Sequence, residues 1–288
     1  MKYSKISIKR ILRIVKYIIL LYPFKFTLRY IFLNSKLYQF EKKNPFKGKI
    51  AFNKGWFETI LSNKSVMDLK KTYEFYKLKK KLQITKLNID AFTEIFNKTG
   101  EEIRKYLGKN VKLDGMFFLY SKPDITSISS SWHTDNVGSR IKLFICIDGD
   151  GSQPTILSRP LKKVNNFNYI FKIYFSELVR FTGFTNKKEM KNNIYLRHTR
   201  GSIFAFDTAI LHRGGYELGA NVRNILVLEF SNPDKHKLLS KGLLKGPIGT
   251  NENNKFEFIN IKNIPIAIES FLDKKRTYIE DNLVIYKK

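Results

Sequence analysis

Apolar positions change their spacing twice along this chain. Within residues 6–21, Lys9, Arg10, Arg13 and Lys16 fall on one helical face, and Ile8, Ile11, Leu12, Val15, Ile18 and Ile19 on another. Pro23 ends that helix. Residues 66–81 carry Leu69, Tyr73, Phe75 and Leu78, and residues 87–107 carry Ile89, Phe92, Ile95, Phe96, Ile103 and Leu107, again at helical spacing. The span from about 37 to 115 therefore reads as helical support. From residues 117–120 onward the pattern is that of strands. It includes an apolar strand over 141–147 and a buried strand around Ile203 and Ala205, flanked by Phe204 and Phe206. A further strand is predicted over 221–230. The β core is expected over about 116–235. Beyond it lies a tail, 236–288, with a helix around 266–282. Residues 165–192, rich in Phe, Tyr and basic residues, interrupt the strands and are expected to form a lid or substrate wall.

Composition narrows this picture. A chain of 288 residues with 43% hydrophobic content can bury one sizeable core. Its single cysteine, Cys146, lies in an apolar strand, which excludes a disulfide framework and a thiolate zinc site. The net charge is +28, and the first 36 residues contain no Asp or Glu. A basic amphipathic helix with Tyr17, Tyr22 and Phe24 beside it suits the surface of an anionic membrane. Packing of the same helix on the core is the competing reading. Its uncharged run is too short to span a bilayer, and no small-residue cleavage site follows it. The expected location is cytoplasmic, with peripheral membrane contact through residues 1–36.

The candidate chemistry lies in two segments. In Ser131-Trp132-His133-Thr134-Asp135, an extended backbone would project His133 and Asp135 to one face. His212 stands at the end of a predicted strand, before Gly214-Gly215. Two imidazoles and one carboxylate form the facial set that holds non-haem Fe(II) and leaves positions open for cosubstrate and oxygen. Arg223 then sits in an apolar strand, which is costly unless its guanidinium meets a planar two-oxygen partner. A structural ion pair with Glu229 or Asp207 is the alternative. Asp148-Gly149-Asp150-Gly151-Ser152 reads as a hairpin turn, since it lacks the ligand ladder of a calcium loop.

These segments resemble the phytanoyl-CoA dioxygenase family of Fe(II)/2-oxoglutarate-dependent oxygenases. The resemblance rests on residues 131–135, the strand 141–147, Leu157-Ser158-Arg159-Pro160, residues 201–207, Leu211-His212-Arg213-Gly214, and Arg223. It covers about residues 115–232. It implies a mainly β chain with flanking helices (α+β), built on a double-stranded β-helix, or jelly-roll, core. It makes His133, Asp135 and His212 the catalytic iron ligands, and Arg223 the partner of the distal 2-oxoglutarate carboxylate. Lys122 is a further cosubstrate candidate. Many relatives place a serine two residues after the distal histidine. Gly214 stands there, so one cosubstrate hydrogen bond is either missing or supplied elsewhere, with Thr155 and Tyr120 as the candidates.

The implied reaction oxidises a substrate C–H bond with O2 and releases succinate and CO2. The carboxylate at position 135 favours hydroxylation, desaturation or epimerisation over halogenation, because halogenating relatives lack it. The expected substrate is a small molecule, a lipid or a glycan-type metabolite. Arg180, Lys187, Lys188, Lys191 and Arg197 would attract an anionic group on it. Two other readings stay open: a vestigial jelly-roll binding protein without turnover, and a nucleic-acid oxidative demethylase. The positive charge alone supports the second, so nucleic acid is a disfavoured partner.

Overall fold

The computed structural model describes residues 56–79, 82–121, 130, 132–133, 140–158, 193–208, 212–215, 220–232, 256–261, 263–272, 277–280 and 283–286. The expected N-terminal helix, the insertion 165–192, Lys122 and Asp135 lie outside them. No helix among the described residues is long and apolar enough to cross a membrane.

The chain runs β1 (Trp56–Ile60), α1 (Asn63–Lys79), β2 (Leu82–Ile84), α2 (Ile89–Leu107), β3 (Lys112–Ser121) and β4 (Arg140–Asp148). It continues with β5 (Thr155–Ser158), β6 (Asn193–Leu196), β7 (Ser202–Asp207), β8 (His212–Gly214) and β9 (Arg223–Ser231). It closes with β10 (Phe256–Phe258), a single turn α3 (Ile266–Glu269), β11 (Thr277–Glu280) and β12 (Leu283–Tyr286). The chain is thus mainly β with flanking helices.

A five-stranded antiparallel sheet, ordered β1-β7-β4-β9-β3, forms the frame. Period-two alternation separates its faces. Ile141, Leu143, Ile145, Ile203, Ala205, Leu226, Leu228 and Phe230 point to the helix side and join the main core. Their neighbours Phe204 and Phe206 point the other way and pack with Leu157 and Leu196 of the three-stranded sheet β6-β5-β8. The two sheets therefore share an interior layer, and that layer carries the candidate site. A four-stranded sheet, β11-β12-β10-β2, inserts Leu82, Ile84, Phe256 and Phe258 into the main core.

Helix α2 buries Phe92, Ile95, Phe96, Thr99, Ile103 and Leu107, a continuous stripe at helical spacing. Helix α1 buries Val66, Leu69 and Tyr73. The two helices are tied together at the start of α1. There the Ser62 hydroxyl accepts the Ser65 N–H at 3.3 Å, in the manner of an N-cap. Glu94 of α2 accepts the Ser62 N–H at 2.9 Å and the Ser62 hydroxyl at 2.6 Å, together with the Ser65 hydroxyl and, at 3.0 Å, Lys98. Burial alone would raise this carboxyl, but the serine hydrogen bonds outweigh it and hold it at about 2, below the ordinary 4.5. A carboxyl depressed in the folded state stabilises above its unfolded value, and that contribution disappears as pH falls toward 2. Glu94→Gln is therefore expected to cost about 1–2 kcal/mol at pH 6 after allowance for solvent screening. The difference from the wild-type urea midpoint should shrink as pH falls from about 5 and be lost as it passes through about 2. A difference unchanged at low pH would show that the carboxylate charge is not the cause.

Three expectations need correction. Residues 56–60, within the span read as helical, form β1 and pair along β7 as a sheet edge. The strand expected to open the core at residue 117, β3, begins at Lys112. Among the described residues of the tail, a helical turn at 266–269 is followed by the hairpin β11–β12, not a helix across 266–282. β12 finds its other partner in β10, a long-range pairing that overrides local helical spacing.

Candidate active site

Residues 148–152 do not form a hairpin. β4 pairs with β7 and β9, whereas β5 pairs with β6 and β8, so the loop carries the chain from one sheet to the other. Asp150 organises it by accepting the Ser152 N–H at 2.9 Å, the Ser152 hydroxyl, and Asn221 Nδ2 at 2.7 Å. These bonds, led by the Ser152 hydroxyl, lower the Asp150 carboxyl to about 2. Gly149 is required by space. A Cβ there would stand 2.6 Å from the His198 carbonyl oxygen, 2.9 Å from Cys146 Sγ and 3.5 Å from Arg223 Cβ. The loop thus pulls His198, Cys146 and Arg223 together at one end of the interior layer.

His133 and His212 are joined by the backbone. The His133 N–H donates to the His212 carbonyl at 2.9 Å, and the His212 N–H donates back at 2.8 Å. Directly opposed residues of an antiparallel pair project to the same face. Accordingly the two imidazoles lie together, with ring centroids 4.3 Å apart and planes tilted by 52°. Both are buried. Phe206 meets the His212 ring edge-on at 5.0 Å from across the layer. Leu157 stands opposite His212 in register, and Thr155 stands opposite Gly214. One face of the smaller sheet therefore presents His133, His212, Leu157 and Thr155 to the interior.

Arg223 opens β9 opposite Ser121, also buried. Its Nη1 donates to the Gln153 carbonyl, while its Nε has no hydrogen-bond partner among the described residues. The two carboxylates expected as ion partners are engaged elsewhere. Asp207 accepts the Tyr106 hydroxyl on the helix side, and Glu229 lies 3.5 Å from Lys142. No carboxylate among the described residues pairs with Arg223. Burial accordingly pulls the guanidinium down to about 10. Cys146 beside it is pushed up to about 12 by its own burial, which leaves an inert thiol.

A third buried imidazole, which the sequence did not single out, belongs to His198. It packs against Phe144 and Phe204, with centroids at 5.7 and 5.2 Å, and its Nε2 lies 2.8 Å from Thr155 Oγ1. Its Nδ1 has no partner among the described residues. Burial, and then the charge of Arg223, hold the ring neutral. A histidine two residues before an Arg-Gly turn carries no sequence signal of this kind; only the crossing of β5 beneath it reveals the contact.

Of the residues predicted for the site, the structure brings His133 and His212 together and places Thr155 and Arg223 in the same interior layer. Tyr120 is not brought to Arg223. It pairs with Asn224 on the opposite face of the sheet, is half exposed, and lies near Tyr73 and Lys77 of α1. Among the described residues no set of three His, Cys, Asp or Glu side chains could hold a metal. The two imidazoles fit an imidazole-rich metal site, and the expected third ligand, Asp135, lies outside those residues. The unpaired guanidinium fits an anionic cosubstrate.

No family model and no curated protein matches this chain. Several solved structures do. AviO1 from Streptomyces viridochromogenes Tue57 is 14% identical, with 62% of this chain and 90% of that one covered and a TM-score of 0.41. HygX from Streptomyces hygroscopicus, solved with nickel and 2-oxoglutarate bound, is 8% identical over 62% of this chain and 83% of that one, with a TM-score of 0.43. SnoK, a non-haem alpha-ketoglutarate-dependent carbocyclase from nogalamycin biosynthesis, is 10% identical over 66% and 85%, with a TM-score of 0.44.

Proposed function

We propose that this protein is an Fe(II)/2-oxoglutarate-dependent oxygenase, similar to the phytanoyl-CoA dioxygenases, that hydroxylates a C–H bond of a small-molecule, lipid or glycan-type substrate. The observation that carries this reading is the buried guanidinium of Arg223, which meets no carboxylate among the described residues, in the same interior layer as the paired imidazoles of His133 and His212. An uncompensated buried cation is expensive. A dicarboxylate that binds there removes the expense and gains charge-assisted hydrogen bonds. The two facing sheets are read as a double-stranded β-helix.

In this reading His133, Asp135 and His212 hold the iron. With 2-oxoglutarate and O2 it supplies oxidation of the substrate C–H bond, with succinate and CO2 released. Arg223 orients the cosubstrate through its distal carboxylate, with Lys122 as a second candidate contact. Thr155, across from Gly214, is placed to donate the hydrogen bond that a serine at 214 would give. Phe144 and Phe206 keep the layer dry, which strengthens the charge contacts inside it. The carboxylate of Asp135 makes hydroxylation the favoured outcome, with desaturation or epimerisation as variants.

Anaerobic addition of Fe(II) and 2-oxoglutarate to the full chain should produce a weak visible charge-transfer band. No band in folded protein would sink the reading and favour a binding protein without turnover. The basic segment 1–36 is a separate part of the proposal, as a peripheral contact with anionic membrane. Deleting it should release the protein from vesicles containing phosphatidylserine, and unchanged partitioning would refute the contact.

A further inference from the structure

At the polar end of the interior layer, His198 Nδ1 and Arg223 Nε are buried and have no hydrogen-bond partner among the described residues. Thr155 Oγ1 sits 2.8 Å from His198 Nε2, and that contact can run either way. If the imidazole proton is on Nδ1, a buried N–H is left without an acceptor and the Thr155 proton is spent on Nε2. If the proton is on Nε2, it is donated to Thr155 Oγ1, and only a lone pair on Nδ1 goes unused. Orphaned buried N–H groups are rarer than under-used acceptors. The second arrangement is therefore favoured, and it leaves the Thr155 hydroxyl proton free. Thr155 is the cross-strand neighbour of Gly214, so its side chain projects from the same face of the sheet, beside the place that a residue-214 side chain would take. Gly149 lets the His198 backbone and Arg223 approach this point together.

We propose that His198 is a positioning residue for an anionic ligand: its Nε2–H···Oγ1 bond turns the Thr155 hydroxyl proton toward the carboxylate that Arg223 holds. The proposal rests on the cosubstrate reading above. It explains how the chain dispenses with a side-chain hydroxyl at position 214. It also gives a buried histidine, remote in sequence from the expected ligands, a role in affinity. His198 acts through Thr155 and does not itself touch the ligand.

The first readout is on the wild-type chain. A long-range proton–nitrogen spectrum of its four histidines, assigned with His198→Gln, should show His198 neutral with its proton on Nε2. A proton on Nδ1 would overturn the proposal. The second readout is 2-oxoglutarate affinity, measured calorimetrically on anaerobic Fe(II)-loaded protein. Thr155→Val and His198→Phe should each bind about tenfold more weakly. The double variant should be no weaker than either, because both changes remove one hydrogen bond. His198→Gln, whose amide can donate to Thr155, should stay within about twofold of wild type. Additive losses, or full affinity in His198→Phe, would overturn it. If His198→Phe does not fold, the tautomer and the Gln variant still decide. Unchanged affinity in Arg223→Met would sink the cosubstrate reading itself, whereas loss in Arg223→Met with full affinity in His198→Phe sinks only the role of His198.

Discussion

Arg223→Met is expected to weaken 2-oxoglutarate binding by on the order of 100- to 1000-fold while leaving the ligand-free protein as stable as wild type, or more stable. The two effects have one cause. The guanidinium is buried, donates to the Gln153 carbonyl and has no partner for its Nε among the described residues. No carboxylate among the described residues offsets its charge, and an apolar side chain of similar volume relieves that desolvation. With ligand present the same guanidinium can make two charge-assisted hydrogen bonds to one carboxylate, each contributing about 1.5–3 kcal/mol. Opposite signs for empty stability and affinity are the signature of a binding cation. A structural cation would lose stability on substitution, and a wild-type chain not stabilised by saturating 2-oxoglutarate would contradict the assignment. At a hundred times the dissociation constant, ligand should add about 2.7 kcal/mol to wild-type stability. Thermal unfolding of both proteins with and without 2-oxoglutarate makes the measurement.

His212→Ala should abolish Fe(II)-dependent turnover and weaken metal binding by more than about a hundredfold. Loss of a residue that merely supports a metal ligand already costs 10- to 100-fold, so loss of a ligand must cost more. The fold should survive, because the bonds joining residues 133 and 212 are main-chain bonds that alanine also makes. Removing a ring that contacts His133 and Phe206 leaves a small cavity, with a cost of about 1–3 kcal/mol. Metal affinity by competition with a chelator, beside near-ultraviolet circular dichroism, separates the two effects. Undiminished affinity in a folded His212→Ala chain would remove His212 from the metal site. The same experiment on Asp135→Ala tests the proposed third ligand, which lies outside the described residues.

The sequence alone determined the elements whose patterns are long and local. The stripe from Ile89 to Leu107 became α2, because burying one face of an amphipathic helix requires no knowledge of what covers it. β4, β7 and β9 were legible as apolar runs between turn residues. His133, His212, Thr155 and Arg223 were singled out by residue type, order and resemblance, and the structure places these four in one interior layer. Only the tertiary structure decided pairings between distant segments. β1 is five residues long and gains its meaning from the β7 edge it covers. The tail hairpin is held by β10, and the loop at 148–152 crosses between sheets instead of turning within one. The faces of side chains were settled in the same way. The register of β3 on β9 turns Tyr120 away from Arg223. The junction of β5 with the segment after β6 brings His198 onto Thr155. Local periodicity reports which face of an element is apolar. Partner and register depend on contacts between residues far apart in sequence, which a single chain's pattern does not encode.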